Sequence, residues 1–225
     1  MLIYKYYLAI SLALLVLFIV LAAIISPRIS DNSNGISSAI IEGDKMTYLQ
    51  VNNPHFEPLN QIMLLFSQYG RGVAWTLTGV LLFIFGGCTG RKTAIVMAIT
   101  MLILIPIGTI AKEIVGRARP ATPEAELLMA RDTGYSFPSG HAVIASSGAA
   151  LMLALYRCSY KKLAVSIGLA VEAALVCISR VYVGDHYLLD IAGGIFLGVG
   201  VAFLFISITK RVEQFLQPLT KMLKP

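Results

Sequence analysis

Two histidines in this chain stand in settings that suit nucleophilic attack and proton transfer. His186 and Asp190 are four residues apart in "SRVYVGDHYLLD", so they share one face if a helix has begun there. The carboxylate can then accept a hydrogen bond from one ring nitrogen and leave the other free to react. His141 ends the tetrapeptide "PSGH" directly before an apolar run. The pattern indicates a nucleophile with its orienting carboxylate, and a separate proton donor.

Cationic side chains collect close to these histidines along the chain. Lys112, Arg117 and Arg119 lie in "AKEIVGRARP", and Arg180 precedes the second histidine segment. Charges near lipid are costly and usually have partners, yet Asp190 is the one carboxylate that we assign to this group. A phosphate with two or more negative charges would complete the set, because its geometry suits the fork of arginine. We therefore predict a phosphate site with surplus cationic charge.

The residues before His141 predict a helix start that faces the same anion. Ser139 is a plausible N-cap, and Gly140 lets the backbone approach a ligand closely. The first free N–H groups of the helix would point at a bound phosphate, and the helix dipole adds to the attraction. His141 then lies in the first turn, where a leaving oxygen needs a proton.

Composition indicates that lipid is the solvent for most of the protein. Of the 225 residues, 57% are hydrophobic and 13% are charged, whereas soluble domains have roughly 25% charged residues. The net charge of +6 is explained by membrane topology and anionic headgroups rather than by nucleic acid. The three cysteines (Cys88, Cys158 and Cys177) lack metal-ligand spacing, and we interpret them as small apolar residues.

The apolar runs predict an all-α membrane protein with a bundle of six transmembrane helices in a single domain, residues 1–225. A retained first anchor is favoured over a cleaved signal peptide. A polar stretch at 27–71 contains a short amphipathic segment, residues 56–70, which we interpret as an interfacial helix between the first two spans. The six predicted spans are 6–25, 73–87, 93–110, 142–156, 163–178 and 191–208.

The distribution of lysine and arginine favours a cytoplasmic N-terminus. Because spans alternate in direction, the three segments that hold the two histidines and the cations then emerge together on the non-cytoplasmic side. The predicted cytoplasmic segments hold ten of the 18 Lys and Arg residues: Lys5, Arg91, Lys92, Arg157, Lys161, Lys162, Lys210, Arg211, Lys221 and Lys224.

The same residues resemble the three-part signature of the type-2 phosphatidic acid phosphatase superfamily. The chain has the K-x6-RP, PSGH and SR-x5-H-x3-D patterns without departure between residues 112 and 190. The resemblance implies a metal-independent, cofactor-free site. In it His186 forms a phosphohistidine, Asp190 orients it, and His141 protonates the leaving group. The implied phosphate-binding residues are Lys112, Arg119, Ser139, Gly140 and Arg180.

The resemblance implies a multi-pass phosphatase of a membrane lipid phosphate, in the cell membrane, with its site facing outward. Candidate substrates are polyprenyl diphosphates, which family analogy favours, phosphatidylglycerol phosphate, phosphatidic acid and diacylglycerol diphosphate. A lipid phosphotransferase and a non-catalytic lipid-phosphate binder or transporter are the alternatives. The sequence leaves the oligomeric state open.

Several residues near the site have two interpretations each. Arg117 either joins the phosphate site or pairs with Glu113 or lipid headgroups. Tyr135 and Phe137 either floor a slot for a lipid tail or pack beneath a loop. Residues 120–132 form either a lid or an ordinary loop. We interpret Asp185 as a solvated turn residue, and favour a structural hydrogen bond over a proton relay or a substrate contact for Glu172 in the fifth span.

Overall fold

The computed structural model describes residues 2–29, 35–52, 56–121, 128–129 and 132–222, with side chains described between residues 5 and 209. Over these residues the protein is helical and has no β-strand. Each of the six predicted apolar runs falls on a helix. The helices are α1 (Leu2–Ile25), α2 (Gly35–Asn52), α3 (Leu59–Tyr69), α4 (Gly72–Phe85), α5 (Gly87–Val115), α6 (Gly140–Leu155), α7 (Tyr160–Tyr182) and α8 (Leu188–Met222).

Four of these helices are long and apolar enough to cross a bilayer: α1 from Lys5, α5, α7, and α8 as far as Thr209. The other two predicted spans correspond to the shorter apolar helices α4 and α6. The helices therefore support an integral membrane protein with several spans, while the count of six stays a prediction. Helix α3 lies within the segment predicted to be interfacial, and its depth relative to the bilayer also stays a prediction.

Helix α6 is the core of the bundle. Residues 141–152 are all buried, and α6 packs against α5, α7 and α8. Gly194 and Gly198 of α8 permit this packing, since a Cβ on Gly198 would lie 2.4 Å from the backbone oxygen of Val143. A Cβ on Gly194 would lie 2.8 Å from the backbone oxygen of Ser139. The absence of side chains at these two positions therefore lets the start of α6, with Ser139 and Val143, pack directly against α8.

Large apolar side chains point outward from the other long helices. Ile19 of α1, Leu102 of α5 and Val171 of α7 are 64%, 70% and 55% exposed. Such an outer surface would be a liability in water and is suited to contact with lipid chains. Polar groups lie between the helices instead, as where Ser11 of α1 donates a hydrogen bond to the backbone oxygen of Gly200 in α8, at 2.7 Å.

Helix α2 lies within the polar stretch 27–71, outside the segment 56–70 in which the sequence predicted a helix. Its buried residues Asp44, Tyr48 and Asn52 are spaced four apart along one face. Asn52 donates a hydrogen bond to the backbone oxygen of Tyr182, at 2.8 Å. Because two of these three buried residues, Asp44 and Asn52, are polar, the helix has no continuous apolar stripe for sequence periodicity to detect.

Candidate active site

Two turns bring the motif segments together. Helix α5 ends at Gly116, whose φ of 69° lies in the left-handed region that glycine tolerates. Past Gly116 the chain leads to Arg117 and Arg119. At the end of α7 the backbone N–H groups of Asp185 and His186 both bond to the backbone oxygen of Arg180, at 3.2 Å. This turn folds back on α7 and places His186 beside Arg180.

The start of α6 has the predicted cap. Ser139 is fully buried, and its hydroxyl oxygen accepts from the Ala142 backbone N–H at 3.5 Å. The Ser139 backbone N–H in turn donates to the Asp190 backbone oxygen at 3.0 Å. The first turn of α6 is therefore tied directly to α8. His141, in that turn, is buried and lies within electrostatic reach of Arg180 and His186.

The geometry around His186 distinguishes its two ring nitrogens. Nδ1 lies 3.4 Å from Asp190 Oδ2, which also accepts from the Tyr187 backbone N–H at 2.9 Å. Nε2 lies 3.3 Å from Arg119 Nη1. Nδ1 faces the carboxylate at this distance but makes no hydrogen bond of good geometry with the described residues. Because the Arg119 guanidinium can only donate, a lone pair on Nε2 and the proton on Nδ1 fit these contacts best. Burial lowers the pKa of His186 below its ordinary value, although Asp190 opposes the shift, so the neutral, nucleophilic ring is favoured at neutral pH.

The two arginines of the signature meet beside Nε2. Arg119 Nη1 donates to Asp185 Oδ2 at 2.6 Å, and Arg180 Nη2 donates to the same oxygen. Arg180 is fully buried and also donates to Asp132 Oδ2 at 2.8 Å. Within the described residues its buried Nε–H has no acceptor. Such an unpartnered buried donor is costly, and an anion held by both arginines would satisfy it.

The predicted surplus of positive charge among Lys112, Arg117, Arg119 and Arg180 is wrong, because Asp190 is not the only carboxylate that lies among them. Asp185 is 2% exposed and bound to Arg119 and Arg180, which also overturns its interpretation as a solvated turn residue. The carboxylates that lie among Lys112, Arg117, Arg119 and Arg180 in the described part of the chain are Asp44, Asp132, Asp185 and Asp190.

Arg117 is buried, at 6% exposed. Its Nη1 donates to Asp190 Oδ1 at 2.7 Å and its Nη2 to Asp44 Oδ2 at 2.5 Å. The guanidinium also lies 4.3 Å from the centre of the Tyr187 ring. Pairing of Arg117 with lipid headgroups or with Glu113 is therefore wrong. Sequence reasoning missed Asp44, because the residue lies far from the signature and no motif marks it.

A large groove lies between α4, α5 and α6 and reaches Lys112. Its volume is about 980 Å³, and Lys112 and Gly140 line one part of it while apolar residues such as Phe83 and Leu102 line the rest. Arg71 also lines the groove, and its Nη1 lies 3.2 Å from the point that a Cβ on Gly140 would occupy. No sequence signal singled out Arg71, although it places a further cation beside the "PSGH" backbone.

Tyr135 and Phe137 are not among the residues that line this groove. Phe137 is fully buried and stacks on Phe18 with ring centres 5.5 Å apart. The Tyr135 hydroxyl accepts a hydrogen bond from Arg28 at 2.9 Å. These contacts support packing rather than a lipid-tail slot for Phe137.

Two open assignments are limited by what the structure describes. In the 120–132 segment, residues 122–127 and 130–131 lie outside the described residues, so the choice between lid and loop stays open. Both carboxylate oxygens of Glu172 are buried and accept no hydrogen bond from the described residues, so the structural hydrogen bond that we favoured is not among the contacts described.

Asp132, Asp185 and His186 form the one group of potential metal ligands among the described residues, with ligand atoms within 4.8 Å of one another. Arg119 and Arg180 bind the same carboxylates. Their positive charge opposes a divalent cation at this point.

Comparison with known proteins identifies the family of this site. Residues 90–214 match the PAP2 superfamily, a range that includes every residue of the three-part signature. The chain is 36% identical to an undecaprenyl-diphosphatase of Sulfolobus acidocaldarius over 74% of this chain and 81% of that one. It is 33% identical to phosphatidylglycerophosphatase B of Bacillus subtilis over 52% and 61% of the two chains.

A solved structure shares the fold. The crystal structure of a transmembrane PAP2 type phosphatidylglycerolphosphate phosphatase from Bacillus subtilis superposes with a TM-score of 0.67 at 24% identity. The superposition covers 90% of this chain and 96% of that one. On the sequence match, and with the signature residues gathered around His186, the chain belongs to the PAP2 superfamily.

Proposed function

We propose that the protein hydrolyses the terminal phosphate of a membrane lipid phosphate or diphosphate through a phosphohistidine at His186. The broader class, a lipid phosphatase, follows from the family and from the relatives named above. The observation that carries the proposal is the position of His186 Nε2, 3.3 Å from Arg119 Nη1 and on the opposite side of the ring from Asp190. A phosphate on the arginines would present its phosphorus to this nitrogen.

The first chemical step forms one bond and breaks another. The Nε2 lone pair of His186 attacks the terminal phosphorus while the bond from phosphorus to the leaving oxygen breaks, and His141 gives that oxygen a proton. The leaving group is the lipid alcohol of a monoester or the lipid monophosphate of a diphosphate. Arg119 and Arg180 stabilise the charge that develops on the phosphoryl oxygens.

The second step returns the enzyme to its starting state. Water attacks the phosphohistidine, His141 takes the proton from that water, and the bond between phosphorus and His186 breaks to release inorganic phosphate. Lys112, Ser139 and the Gly140 N–H complete the proposed phosphate contacts, since they lie at the end of α5 and the start of α6 beside the arginines. The proposed chemistry needs no metal.

The groove between α4, α5 and α6 supports a lipid rather than a soluble substrate. It reaches from Lys112 and Gly140 into an apolar region lined by residues of the outer helix faces. A headgroup on the cations would therefore continue into a hydrocarbon chain along the groove. Among lipids we favour a polyprenyl diphosphate, which the name of the relative from Sulfolobus acidocaldarius supports. The proposed site faces the non-cytoplasmic side of the cell membrane.

The direct test is phosphate release by the purified full chain in detergent. The substrates are a polyprenyl diphosphate, phosphatidylglycerol phosphate, phosphatidic acid and diacylglycerol diphosphate, each with and without EDTA. We expect release in the presence of EDTA, fastest from the polyprenyl diphosphate, and none from His186→Ala. Turnover by His186→Ala would refute the nucleophile, and loss of activity in EDTA that Mg²⁺ restores would refute the metal-independent mechanism.

The same assay separates the alternatives. A binder or transporter would retain the lipids without releasing phosphate. A phosphotransferase would release little phosphate in water and would transfer the phosphoryl group to an added alcohol acceptor.

A further inference from the structure

Asp185 accepts hydrogen bonds from the same arginine N–H groups that a bound phosphate would need. Its Oδ2 accepts from Arg119 Nη1 at 2.6 Å and from Arg180 Nη2. The same oxygen lies 3.5 Å from His186 Nε2. The carboxylate is buried, and its other oxygen accepts from the Asp132 backbone N–H at 3.3 Å. One carboxylate oxygen therefore contacts both arginines beside the nitrogen that the proposed function makes the nucleophile.

A phosphoryl group in position for attack would compete for this place. The reacting atoms must approach to about 3–3.5 Å, so phosphorus lies close to Nε2 and its oxygens lie close to Arg119 and Arg180. Two anions on the same N–H groups repel each other, and each guanidinium has a limited number of donors. The Asp185 side chain must therefore give up these contacts when phosphate binds.

We propose that Asp185 is an internal competitor that exchanges with phosphate on Arg119 and Arg180 and so weakens the hold of the site on its inorganic phosphate product. The inference rests on the proposed function, because it takes the two arginines to be the phosphate-binding groups. Phosphate binding displaces the carboxylate from the arginines. When phosphate leaves, the carboxylate returns to both guanidinium groups, so that neither buried cation is left unpaired.

Asp132 also lies beside Arg119 and Arg180, but it is more exposed than Asp185. Its carboxylate is 44% exposed and lies 2.8 Å from Arg180 Nη2 and 3.9 Å from Arg119 Nη2. Water screens a carboxylate of this exposure more than it screens Asp185. We therefore expect Asp132 to compete with phosphate less strongly.

The test measures binding of inorganic phosphate to the purified full chain by titration calorimetry in detergent. Every titration contains EDTA, which removes any divalent ion held by Asp132, Asp185 and His186. The isosteric variant Asp185→Asn is expected to bind phosphate about tenfold more tightly than the wild type, the scale of one charge-assisted hydrogen bond. Asp132→Asn is expected to show a smaller gain. Glu42→Gln removes an exposed carboxylate on α2 and should bind like the wild type.

The outcomes separate the inference from the proposed function. If the wild type binds phosphate and Asp185→Asn binds it equally or more weakly, Asp185 positions the arginines and the competitor role is wrong. If neither the wild type nor any variant binds phosphate, both the competition and the phosphate site are wrong. Asp132→Asn lies at a half-exposed position, so it still decides the question if Asp185→Asn does not fold. A phosphate affinity of Asp132→Asn at or below that of the wild type would then overturn the inference.

Discussion

At the scale of single residues, the site depends on which proton each histidine holds. In the proposed mechanism Nε2 of His186 attacks phosphorus, so the proton for the leaving oxygen has to come from another group. His141 is the candidate by position, because it stands in the first turn of α6 near Arg180 and His186. Burial, followed by the Arg180 charge, lowers the pKa of the His141 ring, so the proposed role requires the negative charge of a bound phosphate to restore the proton. A residue in this role matters most when the leaving group is a poor one.

This dependence gives the first prediction. His141→Asn should lower the rate on a lipid phosphate by about 10²–10⁴-fold, because an alkoxide leaves slowly without a proton. On p-nitrophenyl phosphate, whose leaving group needs no proton, the loss in the first step should be below about tenfold. The measurement is the rate at which the leaving group is released in a single turnover, because the later hydrolysis of the phosphohistidine, which also uses His141, affects both substrates alike. An equal loss in this first step on both substrates would show that His141 does something other than protonate the leaving oxygen.

We expect Asp44 to act on the proposed nucleophile, His186, through two other residues. It binds Arg117 at 2.5 Å, Arg117 binds Asp190 at 2.7 Å, and Asp190 faces His186. Asp44→Asn should therefore lower kcat by about tenfold, the scale of one hydrogen bond between charged groups, and leave KM unchanged, because Asp44 does not touch the groove. The exposed Glu42→Gln on the same helix serves as the control. A rise in KM with constant kcat would contradict the positioning role.

At the scale of helices, the site depends on how closely α6 approaches α8. The backbone oxygen of Val143 lies where a side chain at position 198 would begin, so nothing larger than hydrogen fits without moving α6. A shift of α6 would carry Ser139 and His141 away from Asp190. We therefore expect the packing of α6 against α8 to affect both the stability of the protein and the rate of phosphate release.

Gly198→Val tests the packing between α6 and α8. Overpacking of this kind costs about 1–3 kcal/mol, so we expect a lower melting temperature in detergent together with slower phosphate release. Gly168→Val in α7 is the matched control, since a Cβ there meets nothing within 4 Å. Equal behaviour of the two variants would mean that α6 and α8 are less tightly packed than described.

The sequence predicted those parts of the protein that apolar runs or local motifs encode. All six apolar runs fall on helices, and Arg119, Arg180 and Asp190 of the signature lie beside His186. Helix α2 was missed because two of its three buried residues, Asp44 and Asn52, are polar. Asp185 was misread because a carboxylate beside a glycine in a turn is usually solvated. Its partner Arg119 lies 66 residues away in sequence, and such a long-range polar pair has no periodic signal.

At the scale of the whole molecule, the groove connects the cations to the apolar exterior. Phe83 and Leu102, on facing helices of the groove, are 50% and 70% exposed. A lipid could therefore enter between α4 and α5 without leaving the hydrocarbon layer, with its headgroup carried toward Lys112.

A blocked groove should discriminate between long and short substrates. Gly108 lines the groove one turn before Lys112, and Gly108→Phe would displace about two methylenes of a bound chain. At about 0.8 kcal/mol for each methylene, kcat/KM for a long-chain lipid phosphate should fall about tenfold, while p-nitrophenyl phosphate should be hydrolysed at the wild-type rate. Gly168→Phe is the control at an open helix position. Equal losses on both substrates would place the lipid chain elsewhere.

Entry of the proposed lipid substrate between α4 and α5 would also determine which concentration the enzyme responds to. A substrate that enters laterally from the membrane or micelle diffuses in two dimensions. The rate of hydrolysis should therefore follow the mole fraction of the substrate among the surrounding lipids and detergent, and not its bulk concentration. Adding inert detergent at a constant amount of lipid phosphate would then slow turnover by surface dilution. In the cell, a change in the amount of other lipids around the enzyme would then change the mole fraction of the substrate, and so the rate, without any of these lipids binding to the enzyme.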